Sequence, residues 1–70
     1  MSSDVIGVRL TRNAPVLFVD GNRLALAPGD AVMVELSDDG TEVEASVVIG
    51  TGQMLNASIG KLAGRVLRAV

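Results

Sequence analysis

The sequence lacks the side chains that carry most enzyme and metal chemistry: it has no histidine, no cysteine, no tryptophan and no tyrosine. Without cysteine, the chain can form neither a disulfide nor a thiolate zinc site nor an iron–sulfur cluster. Without histidine, it lacks the commonest metal ligand and acid–base group, and a Ser-His-Asp arrangement is excluded. We therefore expect no catalytic residue, no bound metal and no cofactor, and predict that the protein is not an enzyme.

Long apolar runs and targeting signals are also missing. No stretch of about 18 consecutive apolar residues occurs, so no transmembrane helix is predicted. Residues 1–7 have no basic region followed by a long apolar core, so they do not resemble a signal peptide. The expectation is a cytoplasmic protein without membrane association, folded as a single domain over residues 1–70.

Apolar residues, by contrast, are abundant, and hydrophobic types make up 49% of the 70 residues. A domain of this size buries only a small core and is usually stabilised further by disulfides, by metals or by oligomerisation. Because the residues for disulfides and for most metal sites are absent, oligomerisation is the device that remains.

The charged residues are distributed unevenly, although the net charge is only −2. Residues 30–44 contain six acidic residues and no basic one, whereas residues 45–70 contain three basic residues and no acidic one. One interpretation is a solvated acidic hairpin. The other is a pair of complementary patches that attract neighbouring copies or dock a charged partner.

Two segments in the middle of the chain alternate between apolar and polar residues, which is the period of a β-strand with one buried face. In the first, Val32, Val34 and Leu36 are predicted to point inward and Glu35 outward. In the second, the predicted inward residues are Val43, Ala45, Val47 and Ile49. The turn sequence Ser-Asp-Asp-Gly at residues 37–40 joins the two segments and predicts a β-hairpin.

Other segments also have strand character. Residues 6–11 alternate, and residues 16–19 are apolar on both faces, as in a strand that is covered on both sides. Residues 27–30 (Ala-Pro-Gly-Asp) fit a type II turn, with proline second and glycine third. Residues 62–70 fit either a helix or a closing strand. We favour the strand, because a glycine such as Gly64 costs about 1 kcal/mol in a helix interior.

Short strands separated by turn residues predict an all-β fold, namely a small antiparallel SH3-like barrel of about five strands. A short helical turn is predicted near residues 55–61, before the closing strand. Closing the sheet into a barrel removes the exposed strand edges that otherwise promote aggregation.

The apolar segments hold more large side chains than one barrel interior can accept. A small barrel takes inward roughly every second residue of a strand, yet residues 16–19, 47–49 and 66–67 are apolar on both faces. Some of these side chains must face outward, where a sizeable apolar patch marks an interface. We predict a protein-interaction or assembly module that binds a protein partner or itself. The predicted interface residues are Leu17, Phe18, Val48 and Leu67.

A small barrel that binds nucleic acid is the alternative function. Its phosphate contacts would come from Arg9, Arg12, Arg65 and Arg68, which lie together if the first and last strands pair. Single-stranded nucleic acid is usually bound on aromatic platforms, and Phe18 is the only aromatic residue of this net acidic chain. We therefore expect any such binding to be weak, salt-sensitive and without sequence preference.

Four short motifs occur in an order and at a spacing that resemble one known family. They are VIGVR at residues 5–9, VLFVD at 16–20, LAPGDAVMVE at 26–35 and LAGRVLRA at 62–69. On these motifs the chain resembles the front part of the YaaT-like bacterial family domain, a homology domain shared with a yeast suppressor of polymerase defects. The resemblance implies a cytoplasmic adaptor in multi-protein assemblies that touch RNA decay and developmental signalling. Some members hold an iron–sulfur cluster on cysteines, which this cysteine-free chain cannot do.

Overall fold

The computed structural model of the protein describes residues 5–51 and 61–70. These residues form five β-strands and no helix. The strands are β1 (Val5–Arg9), β2 (Leu17–Asp20), β3 (Ala31–Leu36), β4 (Glu42–Ile49) and β5 (Gly64–Ala69). The predicted all-β fold is confirmed. The helical turn predicted near residues 55–61 falls, apart from Lys61, outside the described residues.

The five strands close into a small barrel in the order β1-β2-β5-β3-β4. Antiparallel pairing joins β1 with β2 and β4, and joins β3 with β4 and β5. The remaining contact, between β2 and β5, is parallel and consists of two residue pairs, Val19 with Gly64 and Asp20 with Arg65. Because each described strand has a neighbour on both sides, none of them is an edge strand open to uncontrolled pairing.

The barrel interior is filled mainly by β-branched side chains. The alternation predicted for the hairpin is confirmed, since Val32 and Val34 are 0% exposed and Val47 is 1% exposed. Leu36 and Val43 are half-buried and pack against this core. The buried hydrophobic residues are Ile6, Val8, Val19, Leu26, Val32, Val34, Ala45, Val47 and Val66. A fully buried valine or isoleucine contributes about 1.5–3 kcal/mol, so a core this small depends on each of them.

A β-bulge in β4 changes the face on which its last residue lies. Gly7 pairs with Ile49 and Val8 pairs with Val47, so Val48 is the extra residue between these two pairs. A bulge adds one residue to one strand and thereby shifts the side-chain alternation beyond it. Ile49 consequently lies on the outer face with Gly7, and the prediction that Ile49 points inward is wrong.

The predicted turns form with the expected backbone conformations. Gly29 has a φ of +99°, and the N–H of Asp30 donates to the carbonyl oxygen of Ala27 at 3.0 Å. In the β3–β4 hairpin, Gly40 has a φ of +74° and its N–H donates to the carbonyl oxygen of Leu36 at 2.9 Å. Glycine adopts a positive φ without steric cost. These two glycines therefore fix where β3 begins and where it turns into β4.

The C-terminal segment forms strand β5 and not a helix. Gly64 is buried where β5 meets β3, and a Cβ atom built on it would overlap the carbonyl oxygen of Glu35. A residue with a side chain at this position would push the two strands apart. The glycine that disfavours a helix in the sequence is thus also the residue that lets β5 close the barrel.

Candidate interaction surface

Apolar residues meet on the outer wall of the barrel around a glycine. Gly7 of β1 lies between Phe18 of β2 and Ile49 of β4 in the strand register. A Cβ atom built on Gly7 would lie 3.0 Å from both Ile49 Cδ1 and Val16 Cγ1, so these two side chains close over the glycine. Phe18, Ile49 and Val16 are half-buried and do not belong to the interior core. We call Val16, Phe18 and Ile49, with Gly7 beneath them, the outer apolar row.

The four interface residues predicted from the sequence lie in different places. Leu17 packs against the interior core, so its neighbour Phe18 is the outward member of that pair. Val48, the bulge residue of β4, lies beside the outer apolar row. Leu67 lies at a bulge in β5, a strand that pairs with neither β1 nor β4. The structure thus brings Phe18 and Val48 to one side of the barrel and leaves Leu17 and Leu67 away from it.

Sequence reasoning missed three members of the row, namely Gly7, Val16 and Ile49. One signal was present: Gly7 stands between two residues, Ile6 and Val8, that were expected to point inward. A glycine on the outer side of a strand often marks a place where another group approaches closely. Its outward neighbours across the sheet depend on the bulge in β4, which has no comparable signature in the sequence.

A groove continues the outer apolar row toward the end of β1. It has a volume of about 440 Å³ and is lined by Arg9, Leu10, Thr11, Arg12, Ser46 and Val48. Val48 connects the groove to the row, because Ile49 follows it directly in β4. Arg9 and Arg12 are exposed, and neither has an ion-pair partner in the described part of the chain. We call this surface the basic groove.

Arg65 and Arg68 lie elsewhere, on β5. The Nε–H of Arg65 donates to Oε1 of Glu35 at 3.0 Å, with the two side chains 63% and 34% exposed. Such a solvated pair contributes at most about 1 kcal/mol. Because β1 does not pair with β5, the condition under which the four arginines come together is not met. Only two of them share the basic groove.

The β3–β4 hairpin carries the acidic surface of the protein. Its exposed carboxylates are Asp38, Asp39, Glu42 and Glu44. The pKa of Asp39 is lowered, first by a hydrogen bond from the hydroxyl of Thr41 and then by one from its backbone N–H, which lies 3.0 Å from Oδ1. Asp39 therefore accepts hydrogen bonds from Thr41 that span the turn. We call residues 37–44 the acidic hairpin.

Comparison with known proteins adds no constraint on the site. No protein-family model, curated protein or solved structure has significant similarity to the chain. Within residues 5–51 and 61–70, no group of three or more histidine, cysteine or acidic residues is arranged to hold a metal ion. The same ranges contain no helix long and apolar enough to cross a membrane. The function has to be inferred from the chemistry of the surfaces themselves.

Proposed function

We propose that the protein is a non-enzymatic interaction module that docks a protein partner, or further copies of itself, on the outer apolar row. The observation that carries the proposal is the packing of Val16 and Ile49 over Gly7, beside Phe18, on the outer wall of the barrel. An outer wall normally carries polar side chains, as the acidic hairpin does. A sizeable exposed apolar patch marks an interface, and aromatic side chains such as Phe18 are enriched at interface cores.

The outer apolar row cannot account for tight binding alone. Full burial of a phenylalanine or isoleucine gives about 1.5–3 kcal/mol, whereas a micromolar complex requires about 8 kcal/mol. Phe18 and Ile49 are already half-buried, so the gain available from each is smaller still. A partner must therefore also cover the surroundings of the row, and we expect micromolar rather than nanomolar affinity.

The charged groups suit binding better than catalysis. Glu35 is engaged by Arg65 in a solvated ion pair, and the hydrogen bonds from Thr41 move the pKa of Asp39 further below neutrality. General acid–base catalysis requires a group that titrates close to the working pH, and the chain contains no histidine. The proposal accordingly includes no reaction and no cofactor.

The resemblance to the YaaT-like domain supplies a biological context for the proposal. The motifs that resemble that family imply an adaptor in cytoplasmic multi-protein assemblies. An adaptor requires contact surfaces and no active site, which agrees with a chain that has neither histidine nor cysteine. We therefore propose a cytoplasmic adaptor-type module.

Replacing Phe18 with lysine tests the proposal, with Met33→Lys as the matched control. Met33 is another half-buried, outward position on a strand, but it lies between Glu44 and Arg68, away from the outer apolar row. The measurements are the solution mass up to about 300 µM and the set of proteins that the immobilised chain retains from a cell lysate. We expect Phe18→Lys to reduce self-association or partner retention by roughly tenfold or more, which corresponds to about 1.4 kcal/mol, and Met33→Lys to leave both unchanged.

Circular dichroism and urea denaturation establish that both lysine variants are folded. A chain that is monomeric throughout the concentration series, and whose retained proteins are the same for the wild type and Phe18→Lys, contradicts the proposal. Equal losses in the two variants contradict it as well, because the effect would then not depend on the outer apolar row.

One observation favours the alternative function, in which the barrel binds nucleic acid. Arg9 and Arg12 line a single groove beside apolar surface. Two arginines neutralise few phosphates, so this site supports only weak and salt-sensitive binding. The groove nevertheless makes nucleic acid a competitor for the occupant that we infer below.

A further inference from the structure

We infer that the partner of this barrel is a second copy of the chain, whose acidic hairpin occupies the basic groove. This inference rests on the proposed function, because the basic groove is continuous with the outer apolar row through Val48 and Ile49. It adds the identity of the partner and the direction of the contact. One surface of each copy binds a different surface of the next.

The basic groove carries two arginines that have no ion-pair partner among the described residues. Arg9 and Arg12 are exposed and form no ion pair in the described ranges. Leu10 and Val48 line the same groove, which gives the two cations an apolar floor. A segment that carries carboxylates on a compact turn is complementary to such a site, because arginine binds carboxylates through directed hydrogen bonds.

The acidic hairpin is the complementary surface of the same molecule. Within residues 5–51 and 61–70, Asp38, Glu42 and Glu44 are exposed and take part in no ion pair. No basic residue occurs between Asp30 and Glu44 in the sequence. The hairpin therefore carries an uncompensated negative charge, and the groove an uncompensated positive charge. Opposite patches of this kind steer two molecules into one orientation.

The geometry of β4 keeps Asp38 and Glu42 out of the groove of their own chain. Ser46 lines the groove, and Glu42, the first residue of β4, lies four residues away along the strand. At about 3.4 Å per residue, this separation is about 14 Å, and Asp38 lies beyond it in the turn. Pairing with β3 holds this part of β4 straight from Glu42 to Ser46. Glu44, two residues from Ser46, borders the groove of its own chain, so Asp38 and Glu42 are the carboxylates that can reach a groove only on a second copy.

A contact between two different surfaces has consequences for assembly. Each copy uses its basic groove for one neighbour and its acidic hairpin for another, so the contact is heterologous and produces rings or open chains. The association should also weaken as salt is added, because exposed charges are screened over about 10 Å at 0.1 M salt. Contact through the outer apolar row alone would not show this salt dependence.

Two charge-reversal variants test the inference. The groove variant is Arg9→Glu with Arg12→Glu, and the hairpin variant is Asp38→Lys with Glu42→Lys. Asp39 is left in place because Thr41 donates hydrogen bonds to it. We expect sedimentation at low salt to show each variant associating at least about tenfold more weakly than the wild type. The control, Arg68→Glu, changes a charge on β5 and should associate like the wild type.

Mixing the two variants gives the sharper result. Each variant keeps one native surface, and the reversed groove of one variant is again opposite in charge to the reversed hairpin of the other. We expect an equimolar mixture to recover association that neither variant shows alone. Each variant alone should stay monomeric at the same total concentration, and each must retain the circular dichroism spectrum of the wild type.

Three results would overturn the inference. If Phe18→Lys abolishes self-association while both charge variants associate normally, the proposed function stands and the inferred partner is wrong. If the wild type is monomeric but retains another protein through Phe18, the same conclusion follows. If a single-stranded RNA oligonucleotide binds the wild type and loses binding in the groove variant, while the solution mass is unaffected, the groove serves nucleic acid.

Discussion

The acidic hairpin and the outer apolar row lie on the same closed sheet, yet their outer surfaces differ in character. In β3, the inward residues Val32 and Val34 are 0% exposed and the outward Glu35 reaches solvent. In β2, the inward Val19 is 0% exposed, and the outward residue Phe18 is apolar and half-buried. Alternation therefore identifies the core on the hairpin side, whereas on the other side an apolar residue can belong to either face.

The acidic hairpin and the outer apolar row differ in what covering them would do to the free energy of the protein. The outward carboxylates of the hairpin are exposed, and charged side chains on a surface need no partner to cover them. The outer apolar row gains free energy whenever a partner removes it from water. Under the proposed function, the opposite wall is therefore the part of the fold whose apolar surface a partner covers. The following substitutions test this division.

The largest effect is expected at two buried glycines within strands, Gly64 of β5 beside β3 and Gly7 of β1 beneath the outer apolar row. Gly64 faces a backbone carbonyl of Glu35, whereas Gly7 faces the side-chain ends of Ile49 and Val16. A backbone cannot move aside without opening the β3–β5 contact, but side chains can rotate. We expect Gly64→Ala to lower the free energy of unfolding by about 3 kcal/mol and Gly7→Ala by about 1 kcal/mol, measured by urea denaturation.

If Gly64→Ala and Gly7→Ala lower the free energy of unfolding equally, the β3–β5 contact is no more rigid than the outer apolar row. If Gly64→Ala is neutral, the approach of β5 to β3 is looser than the structure indicates. Circular dichroism spectra of both alanine variants show whether the strands are retained, so that a local repacking can be distinguished from an unfolded chain.

The second comparison concerns the inner and outer faces of strand β3. Val34→Ala removes two methyl groups from the core and should destabilise the fold by roughly 1–3 kcal/mol. Glu35→Gln removes only a solvated ion pair with Arg65 and should change the stability by less than about 0.5 kcal/mol. Both values come from urea denaturation midpoints. The reverse ranking would show that the register of β3 is inverted, since a slip of one residue exchanges the faces.

The smallest effect is expected at the turns that end β2 and β3. Asn22 and Arg23 have φ values of +56° and +62°, whereas the hairpin turn places Gly40 at +74°. A positive φ costs a non-glycine residue roughly 1 kcal/mol in the folded state. Part of this cost is offset, because a non-glycine residue has less conformational entropy than glycine to lose from the unfolded chain. We expect Arg23→Gly to stabilise the fold by about 0.5 kcal/mol. Gly40→Ala should have the opposite sign, and stabilisation by both would refute the interpretation.

Much of the fold could be predicted from the sequence. The inward positions of Val32, Val34 and Val47 follow from the period of two, and the conformations of Gly29 and Gly40 follow from the turn sequences. The strand at the C-terminus was favoured over a helix because of Gly64, and β5 confirms it. These features depend on neighbours within a few residues, which is why the sequence reveals them.

The candidate site was predicted less well. Phe18 and Val48 are predicted interface residues that lie at or beside the outer apolar row, but the sequence does not show that Val16 and Ile49 close over Gly7. Ile49 was placed on the wrong face because a single inserted residue, Val48, reverses the alternation beyond it. A bulge arises from the pairing of two distant strands, and nothing local in β4 marks it.

The local sequence specifies which segments become strands, which of their residues form most of the core, and where the chain turns. These properties follow from local periodicity and from the backbone preferences of glycine and proline. The closed sheet, in contrast, places β5 between β2 and β3, separates the four arginines, and joins the outer apolar row to the basic groove. These arrangements depend on how a closed sheet chooses neighbours among strands that are far apart in the chain, and many such choices satisfy the same alternation.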